Sequence, residues 1–339
     1  MVHHVHAAPE PGRIKFRIYR GPEDLSMLRS IFSASTEADQ IAESRSANEF
    51  AKLFVKSERF DPMRDTIIAT AYPSANEDPI DIGFAFTPWY TGPESVRHYY
   101  QESYLLPTWR GQGIWARLVR ASDARLSQKA SDDQISADQG KLFAFARNTQ
   151  RELMEALESE GYAVVRRFYN MIHSLHDIST YPLPAGIETR AVDEGHLRRI
   201  WDAQHEVNRE LYEYNANRWT EKRYESWLRD SAKDHSLWQI AWDGNQVAGL
   251  VLGKIDEDEN RQRDRQRGYT HSVLIRSPWR RIGLGKALIT RCLQALKERG
   301  MNEAELGVDS INESGAFSLY QSLGYKTEST DIWYSKPLI

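Results

Sequence analysis

The stretch SPWRRIGLGKAL, residues 277–288, sets Gly283 and Gly285 behind Arg280 and Arg281 and ahead of an apolar run. Leu284, Leu288, Cys292 and Leu296 then recur at helical spacing, which predicts a helix from about Ile282. The first amides of such a helix lack intrahelical partners and carry the positive end of its dipole. Glycines there remove side chains that would hold an anion away. Arg280, Arg281 and Lys286 add charge suited to phosphate. The local reading is a pyrophosphate cradle. A Walker loop would need Gly-Lys-Ser/Thr after four spacers, which this stretch does not supply. A dinucleotide fingerprint would need Gly or Ala at position 288, where Leu288 stands.

The stretch has a sister, PTWRGQGIWARL at residues 107–118, in which Arg110 answers Arg280 and Trp115 answers Gly285. Around the two loops runs an internal duplication. IKFRIYRGPEDLSMLRSIF answers GIETRAVDEGHLRRIWDA, each a short strand and then a helix with an apolar stripe. DTIIATAY and DIGFAFTPW answer SLWQIAW and VAGLVLGKI as strands joined at turn residues. Each copy therefore reads β-α-β-β-β-α-β-α-β, an α/β fold with a mixed sheet flanked by helices. The expected divisions are a tail at 1–13, a first domain at 14–178, a linker at 179–186 within DISTYPLPAG, and a second domain at 187–339. SQKASDDQISADQG is expected to be a polar surface loop of the first copy.

Composition narrows the function classes. A length of 339 residues accommodates two cores, and 40% hydrophobic with 27% charged residues is ordinary for a globular protein. The net charge of −4 offers no basic surface for nucleic acid. No apolar run reaches membrane-spanning length and no signal-peptide core is seen, so a cytoplasmic protein without a membrane partner is expected. Cys292 is the one cysteine; it falls on the buried stripe and reads as a core thiol rather than a nucleophile.

Two linked motifs carry a family resemblance. Arg280-Arg-Ile-Gly283-Leu-Gly285, preceded by the strand VLIRSP, resembles the Arg/Gln-x-x-Gly-x-Gly/Ala signature of the GNAT acetyltransferase superfamily. NESGAFSLYQSLGY resembles its second signature, through Asn312, Ala316, Tyr320 and Gly324-Tyr325. The tandem organisation resembles mycothiol synthase and its relatives, so two tandem GNAT folds are expected. The resemblance implies acetyl-CoA as cosubstrate, no metal, and a small-molecule amine as acceptor in a monomer or homodimer. It places the pantetheine arm along Val273, Leu274 and Ile275, with one of their amides polarising the thioester carbonyl. It places the pyrophosphate on Arg280, Arg281, Ile282, Gly283, Leu284, Gly285 and Lys286.

The remaining roles have two readings each. Tyr320 protonates the leaving thiolate by resemblance, and is a core tyrosine by its place on the stripe of Ala316 and Leu323. Asn312 caps the same helix and, by resemblance, touches the pantetheine arm. Where mycothiol synthase-like enzymes carry a glutamate as base, this chain has Gly268-Tyr269-Thr270-His271, which makes His271 the candidate base. DEDENRQRDRQRG reads as a solvated hairpin loop, or as a cover for the acceptor entrance. Asp202, Glu206, Glu210 and Glu213 lie where the family places its acceptor lid and would favour a cationic amine. The expected activity is N-acetyl transfer by direct attack in the second copy. Mycothiol synthase-type or other acyl-CoA transfer, and a non-catalytic CoA-binding sensor or scaffold, are the alternatives. In the first copy Trp115 and Leu157 replace Gly285 and Tyr320, so it is expected to be a degenerate scaffold.

Overall fold

The repeat in the sequence is a repeat of structure. A computed structural model describes residues 14–41, 46–72, 78–92, 96–210, 219–231, 234–311 and 315–338; the tail 1–13, Glu213 and Asn312 lie outside them. Residues 1–167 with 331–339 form one compact unit and residues 168–330 the other. This partition differs from a cut in the linear sequence: the turn-rich stretch 179–186 falls within the second unit, and the last residues of the chain fall within the first.

The first unit runs through β1 (Ile14–Ile18), α1 (Leu25–Ala38), α2 (Ala47–Lys52), α3 (Pro62–Asp65), β2 (Thr66–Ala71), β3 (Ile80–Phe86) and β4 (Trp89–Thr91). It continues through β5 (Arg97–Leu105), α4 (Ile114–Asp132), β6 (Gly140–Arg147), α5 (Arg151–Ser159) and the start of β7 (Ala163–His173). Its sheet is ordered β1-β2-β3-β5-β6, and residues Asp331–Pro337 pair antiparallel with β6. Only the β5–β6 pair is parallel among these neighbours, with Arg97 through Gln101 in register against Gly140 through Ala144. The expected loop at SQKASDDQISADQG is half helix. α4 runs on through Lys129 and Ala130, which are buried, and Lys129 Nζ donates to Asp65 at 2.5 Å. A lysine with a buried carboxylate partner keeps a polar-looking segment in the helix.

The second unit begins with Phe168 in β7 and runs through β8 (Ile187–Thr189), α6 (Glu194–Asn208), α7 (Glu221–Ser231), β9 (Trp238–Asp243) and β10 (Gln246–Ile255). It continues through α8 (Glu257–Gln262), β11 (Arg267–Ile275), α9 (Leu284–Glu298), β12 (Glu303–Asp309), α10 (Ala316–Ser322) and the start of β13 (Lys326–Pro337). Its sheet is ordered β8-β9-β10-β11-β12 with β7 beyond β12. The acidic stretch after β10 is not a bare hairpin loop. It forms the short helix α8, because Asp256 accepts from Glu259 N at 3.1 Å and Asn260 is buried, bonding Arg267 N and O.

Helix α9 positions the site. Its stripe of Leu284, Leu288, Cys292 and Leu296 is fully buried, each leucine contributing about 1.5–3 kcal/mol against exposure. It seats closely on β11: a Cβ at Gly268 would come within 2.4 Å of Leu296 Cδ2. That packing explains why no side chain occupies the start of β11 on this face. Among the described residues, no helix is long and apolar enough to cross a membrane.

Candidate functional site

The cradle loop leaves β11 at Ile275, makes a short turn over Ser277–Trp279, and enters α9 at Leu284, two residues later than the periodicity predicts. Gly283 is the cap, in the left-handed region with φ +88°, where a side chain would be strained. The first intrahelical bond runs from Ala287 N to Gly283 O at 3.2 Å, so the amides of Leu284, Gly285 and Lys286 precede the helical ladder. Beyond Gly283 there is open space. A Cβ at Gly285 would meet only Leu319 Cδ2 at 3.6 Å and Ile275 Cγ1 at 3.8 Å. Neither position is packed by protein in a way that demands glycine, so the open ground there is available to a ligand.

The strand beside the loop is open on one edge. β11 pairs with β10 from Gly268 to Ile275 apart from His271, with Ile275 against Gly249 and Val273 against Val251. Its parallel pairing with β12 ends at Tyr269, opposite Glu305. Val273, Leu274 and Ile275 therefore have no register partner in β12, and the two strands part toward the end that faces the loop. Leu274 packs toward Ile200 and Leu250, while Val273 and Ile275 pack with the α9 stripe, as strand alternation requires.

Tyr320 lies on α10 beside Leu319, 6% exposed, with its ring 5.9 Å from Tyr325. Burial pushes its phenol up to about 12, so it keeps its proton throughout the neutral range. α10 begins at Ala316 with Gly315 as cap, so the cap position predicted for Asn312 is taken by Gly315. His271 sits where the β10–β11 register slips, since Leu252 faces Ser272 and Gly253 faces Thr270. It is the extra residue of a β-bulge, a device that re-aims a side chain out of the strand alternation. Desolvation, with Lys254 adding, lowers its pKa below the ordinary imidazole value. The structure brings the loop, the end of β11 and α10 together around Gly285; it gives His271 and Tyr320 no mutual contact. Thr270, next to His271, bonds Tyr325 at 3.1 Å on the core side.

The charges are distributed differently from the sequence expectation. Arg280 Nε donates to Ile275 O at 2.8 Å and its Nη2 to Glu210 at 2.6 Å. Glu210 also accepts from Ser277 Oγ at 3.1 Å, and Arg280 holds its carboxyl below the usual range. Arg276 donates to Glu206 at 2.7 Å and to Val247 O at 2.9 Å. Asp202 pairs with Arg198. Three of the four carboxylates expected to attract a cationic acceptor are thus engaged by arginines, and Glu213 lies outside the described residues. Lys286 rests over the Tyr181 ring at 5.4 Å. Cys292 is fully buried, its thiol pushed up to about 12 by desolvation. Sequence reasoning missed the roles of Glu206, Glu210 and Arg276; the only signal was the acidic i, i+4 spacing at the end of α6.

Residues 197–325 match the Acetyltransferase (GNAT) family. The chain is 26% identical over 216 residues to the mycothiol acetyltransferase of Streptomyces scabiei, a match covering 61% of this chain and 65% of that protein. It shares its fold with a GCN5-related N-acetyltransferase from Sphaerobacter thermophilus, at TM-score 0.68, 24% identity and 97% coverage of both chains. It also shares its fold with a tandem GNAT protein from the clavulanic acid biosynthesis pathway, at TM-score 0.59, 12% identity, and coverage of 96% and 99%. The chain is thus built as tandem GNAT folds.

Proposed function

We propose that this chain, whose second unit is a GNAT acetyltransferase domain, moves an acetyl group from acetyl-CoA to the amine of a small molecule. The observation that carries the reading is the parting of β11 and β12 after Tyr269, beside the unladdered amides of α9 and the open ground at Gly283 and Gly285. One strand edge and one helix start then face the same space, which suits a ligand with an amide-bearing arm and a pyrophosphate.

Bound acetyl-CoA supplies an activated thioester. The chain's own residues do the rest. The free edge of Val273–Ile275 pairs with the pantetheine arm, and one of its amides donates to the carbonyl oxygen as charge grows there. The amides of Leu284, Gly285 and Lys286 meet the pyrophosphate. His271, neutral at pH 7, takes the amine proton directly or through a water. Tyr320 gives its proton to the departing sulfur as the carbon–sulfur bond breaks. The first unit is a scaffold.

The test is thiol release from acetyl-CoA with a panel of primary amines. Mycothiol-type amines belong in the panel, because the Streptomyces relative carries that name. Amine-dependent release of CoA supports the reading. Tight binding of acetyl-CoA with no release across the panel would favour a sensor or scaffold, and no binding would remove the donor site itself.

A further inference from the structure

Arg280 opens the glycine motif, and the obvious role for its charge is to meet the phosphates. Its contacts point elsewhere. Nε is on the carbonyl of Ile275, the last residue of β11, and Nη2 is on Glu210, which lies two residues beyond α6. Glu210 in turn accepts from Ser277 in the loop. One guanidinium thus ties a strand end to the segment beyond α6 across the loop, with the forked geometry that arginine provides and lysine does not.

The first unit supplies a control. Arg110, the counterpart of Arg280, donates to Leu105 O at 3.4 Å, to both oxygens of Asp39 at 2.5 and 3.0 Å, and to Ser35 Oγ at 3.1 Å. Leu105 is the last residue of β5, as Ile275 is of β11. Yet that loop holds a carboxylate of its own: Gly111 N donates to Glu152 at 2.8 Å, and Trp115 stands at the helix start, buried at 4% exposure. An arginine that makes the same brace in a loop holding its own carboxylate is serving the loop, not an anion. Arg281 differs. It is exposed, no described group pairs with it, and it holds φ +64° where the first unit has Gly111 at φ +75°.

Resting on the donor-site reading above, we propose that Arg280 is a positioning residue, braced by Glu210 to fix the loop between β11 and α9, and not one of the side chains that meet the pyrophosphate.

The experiment measures acetyl-CoA affinity, its salt dependence, and amide hydrogen exchange of the ligand-free full chain over residues 276–286. Glu210→Gln, Arg280→Gln and Arg280→Lys should each weaken binding about tenfold, as loss of a charge-assisted bond in a preorganised loop would. The Glu210→Gln/Arg280→Gln double variant should be no worse than either single. All should speed exchange in the loop, with melting temperatures near wild type. Their salt slope should stay unchanged, since no phosphate-facing charge is lost. A Glu210→Gln variant that binds as well as or better than wild type, alongside Arg280→Lys at full affinity, would make Arg280 a direct ligand and overturn the proposal. Unchanged exchange in both Glu210→Gln and Arg280→Gln would also overturn it. Failure of wild type to bind acetyl-CoA would strike the donor-site reading, while the exchange data would still judge the brace.

Discussion

The loop at 106–118 and the loop at 276–288 share a backbone and differ in what occupies the space before it. Both make a short turn that carries a proline and ends on tryptophan, Pro107–Trp109 and Ser277–Trp279, brace an arginine on the preceding strand end, and enter a helix through a left-handed glycine, Gly113 at φ +70° and Gly283 at φ +88°. In the first, Trp115 stands buried at the helix start and Glu152 takes a loop amide; in the second, Gly285 stands in place of the tryptophan, with only Leu319 and Ile275 near it. The parallel strands beside the first loop stay in register to Gln101 and then part, and a polar network fills the base of the opening. Gln101 and Tyr162 both donate to Asp123, which also binds Lys336 at 2.5 Å. Around the second loop the same layer holds Cys292 and Leu293, both fully buried. A fold can keep its architecture while its ligand space is filled from within, because bracing and vacancy reside in different residues.

The sharpest way to break that comparison is Tyr320→Phe. Loss of a positioned acid should lower turnover by about 10²–10⁴-fold with acetyl-CoA affinity and melting temperature near wild type. Activity that survives this change but is lost when residues 111–113 are disrupted would mean that the roles of the units are reversed. Next in size is Gly285→Trp, which copies the first unit into the second. Its Cβ has room, but the indole would occupy the cradle, and calorimetry should find acetyl-CoA weakened by about a hundredfold or more, roughly 3 kcal/mol. Affinity unchanged in a folded variant would move the pyrophosphate elsewhere.

His271 sharpens the comparison through pH. Its folded pKa is lowered, so the imidazole stays unprotonated to a lower pH than an ordinary histidine. The acidic limb of kcat/KM should therefore fall below 6.5, and His271→Gln should erase it with a loss of about ten- to a hundredfold. The sign carries to stability: as the pH falls through the ordinary value, the unfolded chain takes up the proton first, and His271 then disfavours the fold. A wild-type limb that persists in the variant would assign it to another group. The smallest effect belongs to Glu152→Gln. Turnover should stay within about twofold of wild type, as for a surface change away from the site, and a large loss would give the first loop a part in the reaction.

What the sequence determined was local and periodic. The four-residue stripe from Leu284 to Leu296, the paired glycines and the duplicated order of strands and helices each follow from spacing within one element, and all stand in the structure. The limits of that reading are equally physical. Polarity alone misread the end of α4 and the stretch that forms α8, since Lys129 and Asn260 are buried by partners far from them in the chain. The unit boundary was invisible because residues 331–337 join β6 by backbone pairing, which leaves no motif in the side chains. Only tertiary structure decided where β11 and β12 part, that His271 is the bulged residue, and that Glu210 braces Arg280 from 70 positions away. Register and long-range ion pairs depend on which chain segments meet, and no local pattern encodes that meeting.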